Sequence, residues 1–309
     1  EAKMGENPHY SKLETFPIWN LPLDHPVNIA YEAATVDLGD VNLIDHFHLN
    51  AYGKVAVNYN RDIEAFPLLK KIIEKISGEE CPYKSPTDMG VNRCGFGITD
   101  DEVCREAGKE EIIRRYFKTK TDYAAGLCDE NTVTRMNSIM DSSHLTPEMR
   151  CVVVPAREAL KKAISEGKGK DGTACAAAIR LPDDTIVTAH NSMVLHASSA
   201  LILNALKVLA NIDKEKDLIN NKIIQAITTM KRDILSGKGV SLNLDETLIA
   251  LAMSSAEDED SARALKMLPL LKGMDVHMTH IPSAGDSAGL RKLGLLFTSD
   301  PVYPAKNIL

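Results

Sequence analysis

Apolar positions recur three and four apart from Ile63 through Phe66, Leu69, Ile72, Ile73 and Ile76, a spacing that predicts a helix closed by Ser77-Gly78. Pro67 falls early enough in it to be a first-turn residue or a small kink. Upstream, His25-Pro26-Val27 reads as a helix entry running to Ala34, with proline at the tolerated first turn. Thr99-Asp100-Asp101-Glu102 spells a capping box with Thr99 as cap, and a long polar helix is expected from there to about Gly126. A further helix from Asp129 turns Val133, Met136 and Met140 inward.

The second half patterns differently. Cys151-Val152-Val153-Val154 is a short continuous apolar run suited to a buried strand. Two stretches, Ala174–Leu181 and Thr185–His190, flank Pro182-Asp183-Asp184, which spells a hairpin turn. Met193–Ile212 is expected to be a helix, with Leu195, Ser199, Ile202, Leu206 and Leu209 on one stripe. Asp245 opens another, Pro269 ends the one after it, and Val276–Ile281 and Leu295–Thr298 read as late strands. This mixture argues an α/β or α+β protein with mixed sheets flanked by helices. The polar junction Ser142-Ser143-His144-Leu145-Thr146-Pro147 divides it into two domains, 1–145 and 146–309.

Composition narrows the classes. Apolar residues make up 44% and charged residues 26% of the 309, the mix of a globular protein. A net charge of −7 without basic blocks argues against nucleic acid, and no apolar run is long enough to span a bilayer. No signal-peptide pattern is present, and the six cysteines are scattered without a C-x-x-C pair. The expected setting is cytoplasmic, with reduced thiols and no membrane partner. The start Glu1-Ala2-Lys3, without Met, reads as a fragment or processed piece.

Two segments concentrate chemistry. Tyr83 to Gly97 carries Lys84, Asp88, Asn92 and Arg93 on glycine-punctuated backbone that can approach a ligand closely. Arg93 has the planar fork for a phosphate or carboxylate, Lys84 supplies a point charge, and Asp88 can take a proton. Asn58-Tyr59-Asn60-Arg61-Asp62 precedes the helix near Ile63, where an anion meets the positive end of the dipole. The two segments are expected to lie side by side around one anion. His46 and His48 share a face only if extended, and His277 and His280 point to opposite faces of a strand, so no metal site is assigned. His196, beside Ser198 and Ser199, is a further candidate for substrate binding.

Glu14-Thr15-Phe16-Pro17-Ile18-Trp19-Asn20-Leu21-Pro22-Leu23, His25-Pro26-Val27-Asn28, Ala51-Tyr52-Gly53, Ala56 to Glu64, Ser85 to Arg93 and Arg291-Lys292-Leu293-Gly294 resemble the bacterial family known as domain of unknown function 1846. The resemblance runs through essentially the whole chain. It implies that an N-terminal segment with a phosphate-loop-like turn is missing, so that 1–145 is the remainder of the first α/β domain and 146–309 the C-terminal one. It supplies no catalytic residue.

The resulting expectation is an enzyme acting on a small phosphorylated or nucleotide-like substrate. Asp88, Arg93 and Lys84 would be its catalytic residues, and Asn58, Asn60, Arg61, Asn92 and His196 its binding residues. ATP, bound by the missing segment, and Mg2+, held by Asp88 where that residue does not take a proton, are the candidate cofactors. The alternatives are an oligomeric scaffold that packs through Ala197-Ser198-Ser199-Ala200, and a metal-assisted hydrolase using His46 and His48.

Overall fold

The computed structural model describes residues 21–89, 97–235 and 239–304. They form a mixed α/β protein of two compact units, divided between Thr146 and Pro147, with Lys120–Ala125 counted in the second unit.

The first unit is mostly helical. Helix α1 (Pro26–Ala34) begins as its sequence spells, with the His25 ring accepting from the Val27 amide. Strands β1 (Asn42–Ile44) and β2 (Val57–Tyr59) pair antiparallel, with Leu43 opposite Asn58. Between them lies α2 (His46–Tyr52), capped by Asp45. The predicted helix over Ile63–Ile76 is α3 (Asn60–Ser77), closed at Gly78 with φ 79°, a conformation glycine adopts without strain. It starts three residues earlier than Ile63, so Pro67 lies in its interior. The one-turn α4 (Pro86–Met89) follows, then α5 (Asp101–Ala124) and α6 (Glu130–Ser142). In the first turn of α5 it is the Asp100 carboxylate, not Thr99, that accepts an amide, that of Val103. Helix α5 approaches α1 closely enough that a Cβ on Gly108 would stand 2.7 Å from the Pro26 carbonyl carbon. In α6, Val133, Met136 and Met140 are buried as their spacing predicts.

The second unit is a layered sheet. Its strands are β3 (Ala176–Arg180), β4 (Ile186–His190), β5 (Asp275–Met278) and β6 (Leu296–Ser299), in the order β4-β3-β5-β6. The β5–β6 pair is parallel and the others antiparallel. The β3–β4 hairpin turns where predicted: Pro182 begins the turn, the Asp184 amide returns to the Leu181 carbonyl at 3.0 Å, and Asp184 takes φ 64°. Period-two alternation then assigns each face of β3. Ala178 meets Val152 and Ala156 of the α7 (Val153–Ser165) side, and Ala177 and Ile179 join the main core. That core is filled by Leu201, Ile202 and Leu206 of α8 (Ala197–Leu209), Leu251 of α10 (Leu244–Ser254) and Leu290 of α12 (Ala284–Lys292). Helices α9 (Asn221–Thr229) and α11 (Glu259–Lys266) complete the unit.

The run Cys151–Val154 is not a strand. A 3-10 turn at Pro147–Met149 leads into α7, and Val152, Val153, Ala156 and Ala163 are buried at helical intervals. Four apolar residues in a row fit either period, and the small residues farther on decide for helix. Helix α8 begins at Ala197 rather than Met193, because Leu195 bridges to Leu242 and His196 takes the cap position.

Candidate proton-transfer site

In the first unit, the Asp45 carboxylate is the centre of a buried polar knot. It accepts from the amides of Phe47 and His48, from Asn58 Nδ2 at 3.2 Å, and from the amide and the hydroxyl of Thr87, the latter at 2.6 Å. Asn58 Nδ2 also donates to Thr87 Oγ1 at 2.7 Å. The two polar segments therefore meet at Asn58 and Thr87.

Around this knot the predicted residues hold the chain in place. Asp88 Oδ2 accepts from the Tyr52 hydroxyl at 3.0 Å and from the Lys84 and Ser85 amides at 2.8 and 3.1 Å. The Lys84 ammonium stands 5.8 Å from the centre of the Tyr52 ring. Asn60 pairs with Val41 through both its amide and its side-chain oxygen. Arg61 lies over the Tyr59 ring and 3.4 Å from the buried Asp40 carboxylate. Asn92 and Arg93 lie outside the described residues. His46 and His48 sit on the helix α2 rather than on an extended segment. His48 Nδ1 is 3.0 Å from Ser85 Oγ, and His46 stacks on Phe47. Residues two apart share a face in a strand but not in a helix.

His196, the remaining predicted residue, belongs to the second unit, and there it is one part of a cluster the sequence reading did not assemble. The starts of α8, α10 and α12 supply the parts. Asp286, 1% exposed, receives His196 Nδ1 at 2.7 Å, the Ser198 hydroxyl at 2.6 Å, the Ser283 hydroxyl at 2.6 Å and the Leu244 amide at 2.9 Å. Burial by itself would raise this carboxyl; the hydrogen bonds from His196, Ser198 and Ser283 and the His196 charge outweigh it and hold the group at about 2. An ionised carboxylate only accepts, so His196 Nδ1 carries a proton and Nε2 is the free position of the neutral ring. That ring remains 33% exposed.

Close packing fixes the arrangement. A Cβ on Gly285 would stand 2.7 Å from Asn243 Nδ2, and one on Gly289 would stand 2.8 Å from Leu244, so glycine lets α12 dock against the start of α10. Two more groups border the cluster. His280 is 8% exposed and its Nδ1 has no hydrogen-bond partner among the described residues. Burial draws His280 down to about 4, the Asp286 charge working against this and the His196 charge with it. Burial, with the Asp286 charge, pushes the Cys175 thiol up to about 11, which leaves it unreactive as a nucleophile. Nearby, the Lys170 ammonium is 3.3 Å from Ser241 Oγ, and the neighbouring Leu242 carbonyl accepts from the His196 amide.

Asp286 gave no sequence signal because its partners stand 90, 88 and 42 positions away. The spelling Ser283-Ala284-Gly285-Asp286 reads as an ordinary helix cap. Among the described residues no group of three His, Cys, Asp or Glu side chains is placed to hold a metal ion, and no helix is long and apolar enough to cross a membrane.

Comparison with known proteins decides the family. The N-terminal model of the family described as "Domain of unknown function DUF1846" matches residues 1–144, and the C-terminal model matches 148–309. The chain belongs to the DUF1846 family. It is 52% identical over 311 residues to a UPF0371 protein of Fusobacterium nucleatum subsp. nucleatum, covering 100% of this chain and 62% of that protein. It is 51% identical to a UPF0371 protein of Clostridium botulinum (strain Langeland) and 50% identical to one of Clostridioides difficile (strain 630), over 61% of each. The chain thus spans about three-fifths of the length of these bacterial relatives. The family resemblance read from the sequence is borne out. The finer expectation, that the family's N-terminal segment is missing, is not shown by these matches; the two family models together take in nearly all of the chain given.

Proposed function

We propose that this protein is an enzyme that moves a proton at His196, and that its substrate is a small phosphorylated or nucleotide-like metabolite. The observation that carries the reading is the hydrogen bond from His196 Nδ1 to the buried, ionised Asp286. A carboxylate in that position fixes the tautomer, orients the ring and stabilises the imidazolium that forms when Nε2 takes a proton. The partial exposure of the ring gives a substrate access to Nε2. The anionic class of substrate is supported by Lys170, which has no carboxylate within salt-bridge distance among the described residues. The scaffold alternative loses its proposed contact face, because Ala197, Ser198 and Ser199 are spent inside their own unit.

Two measurements test this. Imidazole NMR should show a strongly downfield Nδ1 proton on His196, and Asp286→Asn should remove it. Incubation with a panel of phosphorylated metabolites, followed by mass spectrometry, should reveal one that is converted by the protein and spared by His196→Ala. An Asp286→Asn protein that keeps the downfield His196 proton would refute the dyad.

A further inference from the structure

We infer that the second unit carries another ligand site, at the end of β5 opposite the one that leads to Asp286. It takes a small organic monocarboxylate, with the carboxylate between Arg180 and Lys272 and the apolar body against Leu181 and Met274. This goes beyond the proton-transfer reading and does not depend on it.

Strand β3 ends and the antiparallel β5 begins at this place, whereas the Thr279–Ser283 stretch on the way to Asp286 leaves β5 from its other end. Here a cleft of about 320 Å3 opens between the β3–β4 turn and the stretch Leu270–Asp275 that runs into β5. That volume is at the small end of ligand pockets, which run from roughly 300 Å3 upward. Its walls are of two kinds. Leu181 and Met274 belong to the main core and also line the cleft, with Leu270 exposed at the rim. Arg180 and Lys272 bring positive charge, Asp184 and Asp275 negative charge.

These charges do not cancel in place. The Asp275 carboxylate is shared: one oxygen is 2.9 Å from the fully buried Arg150 and the other accepts from Arg180 at 2.6 Å. Asp184 stands 3.9 Å from Arg180 with its side chain 86% exposed, so water screens it. Lys272 has no carboxylate within salt-bridge distance among the described residues. The cleft therefore favours an anion. Asp275, itself held by Arg150, anchors the Arg180 guanidinium at the wall, and a planar fork suits a carboxylate. Gly273, next to Lys272, takes φ 82° with open space where a Cβ would stand, so a ligand can approach the backbone closely. Two carboxylates border the cleft, so a single negative charge fits it better than the double charge of a phosphate. The buried apolar wall adds the requirement for a hydrocarbon part.

The test is a titration of the chain, labelled at backbone nitrogen and at the methionine methyls, with acetate, butyrate and inorganic phosphate, followed by NMR. Saturable shifts are expected at the Lys272 and Gly273 amides with acetate and butyrate, and at the Met274 methyl with butyrate. Butyrate should bind on the order of tenfold more tightly than acetate, two methylenes being withdrawn from water. Phosphate should bind more weakly than butyrate. Lys272→Gln, which leaves Asp275 and its two guanidiniums in place, should weaken butyrate on the order of tenfold. Lys214→Gln removes a 90% exposed charge that does not line the cleft and should leave binding unchanged. Asp184→Asn, at a left-handed position that asparagine tolerates, should bind butyrate at least as tightly as the parent chain. Absence of saturable shifts at Gly273 and Met274, equal affinity in folded Lys272→Gln, or phosphate binding more tightly than butyrate would each overturn the proposal.

Discussion

Asp45 and Asp286 are the buried carboxylates around which the two polar clusters are organised, and they differ in what they leave over. Asp45 is surrounded by amides, a side-chain amide and a hydroxyl that tie α2, β2 and α4 together. Asp286 ties three helix starts together in the same way, but one of its partners is an imidazole with a nitrogen still available. Density of charged residues therefore pointed to the first unit, whereas the proton transfer proposed above belongs to the second. A buried ion must be satisfied wherever it sits; a functional reading begins with what its partners can still do.

Replacement of either carboxylate should have the largest effect. Asp45→Ala and Asp286→Ala each strand several buried donors and should destabilise by about 3 kcal/mol or more in urea titrations. The comparison breaks if Asp45→Asn disturbs the His196 Nδ1 proton signal as much as Asp286→Asn does, because the dyad predicts that only the latter will. Acid provides the next contrast. His280 titrates at about 4 when folded against an ordinary 6.5, so between these values the unfolded chain binds more protons and stability falls as pH drops. That loss, up to roughly 3 kcal/mol, should be complete by about pH 4 and should be absent in His280→Phe. Asp286, held at about 2 against an ordinary 3.8, loses its contribution at lower pH still.

Smaller effects test the first unit. Gly108→Ala forces a Cβ against the backbone of Pro26 and Val27 and should cost about 2 kcal/mol by thermal unfolding. Lys84→Ala, which loses only a contact over the Tyr52 ring, should change stability by no more than about 0.5 kcal/mol. A much larger loss would return the first unit to prominence.

Local signals were legible where local physics decides. Proline at the start of α1, glycine after α3, the stripe of α6 and the Pro182-Asp183-Asp184 turn each express a preference of a few neighbouring residues. The misread elements are those settled by distant partners. Val152 and Val153 became helical in company with Ala156 and Ala163, and Leu195 left the expected helix to pair with Leu242. His196 was recognisable as a candidate, but its role depends on a carboxylate far along the chain that looks like ordinary helix capping. Lys84 and Asp88 were recognisable as polar and close together, yet one oxygen of the Asp88 carboxylate is taken up by the backbone amides of the turn.

The cluster at Asp286 also has a history during synthesis. Its donors, His196, Ser198, Leu244 and Ser283, all precede the carboxylate in the chain. A ribosome-bound intermediate that already has α8 and α10 still lacks the group that joins them, and long loops must close before the bonds from His196, Ser198 and Leu244 can form. The unit therefore acquires its polar cluster only after α12 has docked through its glycines, and a collapsed species stalled before that step presents an imidazole with no carboxylate to orient it.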